Sequence, residues 1–104
     1  VFDFSKILQN SRLGMGEGLR QLESELEGRT VVGSAGGGLV SVEASGQGIV
    51  RRVKIDPSLL GDVEMLEDLL VAAFNDARRK AMAVAEEEMG KLARTLMDHL
   101  VRKP

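Results

Sequence analysis

Few residues in this chain could do covalent chemistry. There is no Cys and a single His, His99, which excludes thiol nucleophiles, disulfide scaffolds, Cys-ligated zinc and His-rich metal centres. No Ser, His and Asp fall into a triad pattern, and no two carboxylates have the spacing of an acid–base couple. Glu86-Glu87-Glu88 is the densest acidic run. Consecutive helical residues point in different directions, so it reads as a solvated helix face and not a metal cradle. Leu13–Gly18 contains a GxGxG string, but no strand precedes it, as a dinucleotide loop requires. His99, among Leu96, Met97, Leu100 and Val101, reads as a surface or interface residue. No catalytic residue, metal or cofactor is expected.

What remains is charge. The net charge is −2 over 104 residues, which taken alone argues against a polyanion as partner. The distribution is uneven: −2 over residues 1–28, +2 over 29–61, −5 over 62–90 and +3 over 91–104. Arg52 and Lys54, two apart on a strand, would set two cations about 7 Å apart on one face, close to phosphate spacing along a nucleic-acid strand. An ordinary solvated strand face explains the same pair, with Arg51 beside it. Arg78-Arg79-Lys80 is offset by acids on its own helix. Lys91, Arg94, Arg102 and Lys103 gather at a helix end, where they also complement the dipole. Aromatic residues are 3%, with no Trp or Tyr, which argues against base-stacking platforms. Phe74 is expected in the core, with Phe2 and Phe4 as terminal wedges.

The elements that position these charges follow from hydrophobic periodicity. Residues 1–28 are expected to hold an N-terminal helix, weak or kinked where Gly14, Gly16 and Gly18 interrupt it. Gly28 suits its C-terminal stop. Three strands follow within 29–56: Arg29–Ser34, Leu39–Ser45 and Ile49–Asp56. In the second, Val40, Val42 and Ala44 share one face; in the third, Val53 and Ile55 oppose Arg52 and Lys54. Gly36-Gly37-Gly38 and Gly46-Gln47-Gly48 suit hairpin turns, giving an antiparallel meander with one wet face. Asp62 can cap a long C-terminal helix over 62–100, with Gly90 as a bend. Asp76 with Lys80 and Glu87 with Lys91 are favourable i,i+4 pairs.

Residues 62–89 alone would span roughly 42 Å as a helix, whereas strands of this length span roughly 20–25 Å. One copy cannot cover so long an apolar stripe, so a symmetric dimer is expected. No apolar run reaches the roughly 18 residues of a membrane span. The opening Val-Phe-Asp-Phe-Ser-Lys lacks the order of a secretory leader. The expected setting is the cytoplasm, with no membrane contact.

The order of motifs goes further. Phe2-Asp3-Phe4-Ser5-Lys6, then Gly36-Gly37-Gly38-Leu39-Val40-Ser41-Val42, then Val53-Lys54-Ile55-Asp56-Pro57-Ser58-Leu59-Leu60, then Glu64–Ala77 follow one another across nearly the whole chain. In combination the chain resembles the YbaB/EbfC family of bacterial nucleoid-associated proteins. The resemblance implies one α+β domain over 1–104, an α-β-β-β-α protomer with a three-stranded antiparallel sheet, and a tweezer-like homodimer. It implies duplex DNA as partner, in the nucleoid, bound by backbone neutralisation and not base reading, with nucleoid organisation or gene expression as the process affected. It sets Lys6, Arg12 and Arg20 on one arm element and Lys91, Arg94, Arg102 and Lys103 on the other as phosphate contacts, with Arg51, Arg52 and Lys54 as a secondary group. The family's first helix is usually rich in Gln, Lys and Met; here glycines interrupt it. A different reading, a scaffolding dimer for DNA-repair or recombination proteins, draws on the acidic 62–90 segment. An enzyme finds no support in the residues.

Overall fold

The computed structural model describes residues 16–101. Helix α1 (Gly16–Gly28) leads into strands β1 (Thr30–Ala35), β2 (Val40–Ser45) and β3 (Val50–Ile55), and a long helix α2 (Val63–Val101) closes the chain. This is the expected α+β, α-β-β-β-α order. The strands form one antiparallel sheet in the order β1-β2-β3. The first hairpin turns through Gly36, Gly37 and Gly38, all with positive φ (65°, 67° and 96°), a region that side chains with a Cβ resist.

Alternation in β2 decides where the core lies. Val40, Val42 and Ala44 are buried, while Ser41 and Glu43 on the other face are half-buried. Against the apolar face lies an Ala73-Ala77-Ala81 stripe of α2, completed by Leu59 and Val31. Small side chains allow a close approach. At Gly33 of β1 an added Cβ would overlap the backbone of Ala73 and Ala77. Asp62 caps α2 as expected: its carboxylate accepts from Met65 N–H at 3.0 Å. Asp56 closes the preceding turn by accepting from Ser58 N–H at 2.9 Å, and that bond holds its carboxyl below the usual range.

Three expectations are corrected. Over the described residues α1 is one uninterrupted helix from Gly16. Gly18 faces Leu92 of α2, whose Cδ1 would lie 3.2 Å from an added Cβ, so this glycine serves helix crossing. The expected helix over residues 4–15 lies outside the described residues. Helix α2 runs through Gly90 without a break. Phe74 is not in the protomer's core: it is 39% exposed, beside Val50 at the rim of the sheet.

Thirty-nine helical residues extend about 58 Å, far past the sheet. The radius of gyration is 18.3 Å, against about 13 Å for a compact chain of this length. The sheet and the first half of α2 form a body. The second half of α2, with α1 packed on it, forms an arm.

Candidate nucleic-acid interface

The base of the arm is an ion-pair cluster. Glu88 is buried on α2 and accepts from Arg29 Nη1 at 2.8 Å and from Lys91 Nζ at 3.2 Å. Arg29 also reaches Glu87 at 3.3 Å. The ammonium of Lys91, then the guanidinium of Arg29, hold the Glu88 carboxyl below its ordinary value against the opposing effect of burial. Thus Glu88 is not part of a solvated acidic face, which corrects the reading of the Glu86–Glu88 run. Arg29 immediately follows α1, so the cluster joins the end of α1 to α2.

The second hairpin fastens the same end. The last carbonyls of a helix have no intrahelical donor. Here Leu26 O accepts from Gly46 N–H at 2.9 Å and Glu27 O from Arg51 Nη2 at 3.0 Å, and one turn earlier Glu23 O accepts an additional bond from Gln47 Nε2 at 3.4 Å. Ser45, fully buried, braces the turn by accepting from Gln47 and Ile49 N–H. An added Cβ at Gly46 would lie 2.9 Å from Leu26 O. Glycine there serves close approach.

These contacts sort the cations. Arg29, Arg79, Lys80 and Lys91 are held in intramolecular ion pairs. Arg51 is occupied at the end of α1. Arg20, Arg52, Lys54, Arg78 and Arg94 are exposed and, among the described residues, make no such pair. The structure therefore separates the expected set. Arg20 and Arg94 are free on the arm elements, Lys91 is engaged at the arm's base, and Arg52 and Lys54 lie on the body. Lys6, Arg12, Arg102 and Lys103 lie outside the described residues, as do Phe2 and Phe4.

Arg51 parts from its neighbours because of a β-bulge. Glu43 pairs with Arg52, but Ala44 pairs with Val50, which leaves Arg51 as the extra residue. The bulge sets Val50 on the same face as Val53 and Ile55, where strict alternation would have placed Arg51. On the opposite face Val32, Ser41, Glu43, Arg52 and Lys54 line a shallow depression of about 190 Å³. Arg78, beside Phe74 and Val50, is a cation that sequence reasoning discounted and that makes no ion pair among the described residues; Asp76 pairs with Arg79 and Lys80 instead.

Among the described residues no group of His, Cys, Asp or Glu is arranged to hold a metal ion, and no helix is long and apolar enough to cross a membrane. A sheet-and-helix body with a projecting two-helix arm, offering a ligand charge and not a pocket of reactive groups, defines a small binding protein. Comparison with known proteins identifies its kind: residues 2–96 match the YbaB/EbfC DNA-binding family, and the chain belongs to that family. It is 53% identical over 76 residues to a nucleoid-associated protein of Xylella fastidiosa (strain 9a5c), covering 73% of this chain and 71% of that one. A nucleoid-associated protein of Xanthomonas campestris pv. campestris (strain B100) is also 53% identical, with 73% and 72% covered. The crystal structure of an uncharacterized protein from Helicobacter pylori superposes with a TM-score of 0.61 at 36% identity, over 80% of this chain and 94% of that one.

Proposed function

We propose that this chain is a nucleoid-associated protein that binds duplex DNA as a homodimer, mainly through the phosphate backbone, in the nucleoid of the bacterial cytoplasm. Its effect would fall on nucleoid organisation or gene expression. The observation that carries this reading is the sorting of cations in a member of a DNA-binding family. Among the described residues of the arm, Arg29 and Lys91 are paired with Glu87 and Glu88, whereas Arg20 and Arg94 make no ion pair. Pairing of protomers is supported by the apolar surface one copy leaves open: Val50, Val53, Ile55, Phe74, Met82 and Met89 are all at least one-third exposed. A dimer doubles each arm's cations. Lys6, Arg12, Arg102 and Lys103 would add to them, and Lys91 would contribute chiefly by positioning. Binding of this type releases counterions and weakens steeply with salt.

Sedimentation and duplex-DNA anisotropy test the reading together. The expected result is a dimer whose affinity falls with salt. Arg94→Ala removes two contacts per dimer and should lower the salt slope by about 2. Lys91→Ala should loosen the arm and leave the slope closer to wild type. A folded dimer that ignores duplex DNA at low salt would overturn the proposal. One observation favours the scaffolding reading for DNA-repair or recombination proteins: Glu64, Glu67, Asp68 and Glu86 are exposed on α2 without ion pairs among the described residues. Co-purification of a defined partner after nuclease treatment would support it.

A further inference from the structure

The wet face of the sheet is turned away from both helices. α2 packs on the face formed by Val40, Val42 and Ala44, and only strand residues line the depression on the other side. Arg52 and Lys54 lie there as neighbours in one row of side chains, facing Glu43 and Ser41 across the ladder. Both cations are exposed, and neither makes an ion pair among the described residues. Arg52 has a carboxylate as its direct cross-strand neighbour, yet the two groups are not within ion-pair distance. Two unneutralised cations about 7 Å apart, with the Ser41 hydroxyl beside Lys54, match successive phosphates of a backbone and not an isolated small anion.

We propose that this face is a second contact for a duplex backbone, made by Arg52, Lys54 and Ser41, so that a dimer grips one duplex with its arms and a further duplex segment on its sheets. The inference rests on the DNA-binding reading given above. A dimer built through the open apolar side carries its two wet faces outward, so neither is consumed by the pairing of protomers. Two phosphate contacts make this the weaker site. Its occupancy should fall about tenfold between about 50 and about 200 mM salt. Glu43 opposes the same phosphates, and its charge keeps the contact weak.

The test uses the full chain, one duplex immobilised on beads and a second, labelled duplex in solution, with single-duplex affinity measured separately by anisotropy. Wild type should retain the labelled duplex on the beads. Arg52→Gln with Lys54→Gln should reduce that capture about tenfold while single-duplex affinity stays within about twofold. Glu43→Gln should raise capture. Circular dichroism and sedimentation verify that the variants remain folded and paired. Wild type that binds a single duplex but retains no second would overturn the inference and leave the DNA reading standing. Equal loss of both signals in the double variant would also overturn it, by making the sheet part of the first contact. Release of the second duplex by stoichiometric glutamate-rich peptide would assign the face to an acidic protein partner instead. Wild type that binds no duplex in either format would refute the DNA reading itself.

Discussion

The two edges of the sheet are treated in opposite ways. Along β1, helix α2 lies close enough to require Gly33, and its side chains finish the strand's unpaired backbone. Ser34 N–H donates to Asp76 Oδ2 at 3.0 Å, and Lys80 Nζ donates to Val32 O at 2.8 Å, with Asp76 and Lys80 themselves 3.1 Å apart. Along β3 no side chain among the described residues does this, and all six residues are exposed, three of them apolar on the core face. An open strand edge invites association, and cations along it are a common restraint. A single protomer thus completes one half of its sheet and leaves the other for something else to cover. The division follows from α2 crossing over β1 and β2 and not over β3.

The contrast can be broken most severely at Gly33. Its Cβ would meet helix backbone, which cannot swing aside as a side chain can. Gly33→Ala should cost about 3 kcal/mol by overpacking, lowering Tm by about 12–24 °C in thermal denaturation. Gly61→Ala, where an added Cβ meets nothing within 4 Å, should stay within about 0.5 kcal/mol. Equal effects would mean that α2 does not rest on β1 as described.

A cross-strand pair sharpens the comparison. Val42 and Val53 face each other in register, yet Val42 is fully buried and Val53 is 39% exposed. Val42→Ala should cost about 2 kcal/mol, or about 10 °C, at any protein concentration. Val53→Ala should cost less than about 1 kcal/mol in dilute protein. Its larger effect should appear as a weakened dimer in sedimentation. A concentration-independent loss at Val53 matching that at Val42 would mean that β3 is covered within the protomer.

The body was legible in sequence because its signals are local. Alternation at Val40, Val42 and Ala44, the glycine triplet at the first turn and an Asp cap each state their purpose within a few residues. Phe74 was misread because a helical stripe does not reveal how wide a sheet lies beneath it; here β3 falls outside its cover. The bulge at Arg51 leaves a local trace, because Val50-Arg51-Arg52-Val53 breaks strict alternation, but only pairing with β2 identifies Arg51 as the extra residue. Among the candidate contacts, residue type identified the cations, but whether each is free depends on which acids the fold brings within reach, helical neighbours for Lys91 and distant ones for Arg29. The i,i+4 pair of Glu87 with Lys91 was legible and is present, whereas Arg29 and Glu88, 59 positions apart, meet only through the fold. Among the described residues, Arg94 makes no ion pair.

The mildest effect concerns how the β1 edge is closed, and it is read in acid. The Asp76 carboxyl is held below its ordinary value of 3.8, first by the Ser34 backbone N–H and then by Lys80. A carboxyl depressed in the folded state adds stability that is complete above its unfolded value and is lost as pH falls through its folded value. Wild type should therefore lose Tm progressively below about pH 4. Glu88, also depressed from an ordinary 4.5, adds to that acid limb. Asp76→Asn keeps an acceptor for Ser34 but surrenders the charge facing Lys80. Its Tm should be slightly lower at neutral pH, and its acid limb shallower. Arg52→Gln, on the strand whose edge is left open, should leave the acid limb as in wild type. Melting curves across the acid range compare the three. If Asp76→Asn tracks wild type throughout, the β1 edge is closed by helix packing alone, and the electrostatic difference between the two edges disappears even though the steric one at Gly33 stands.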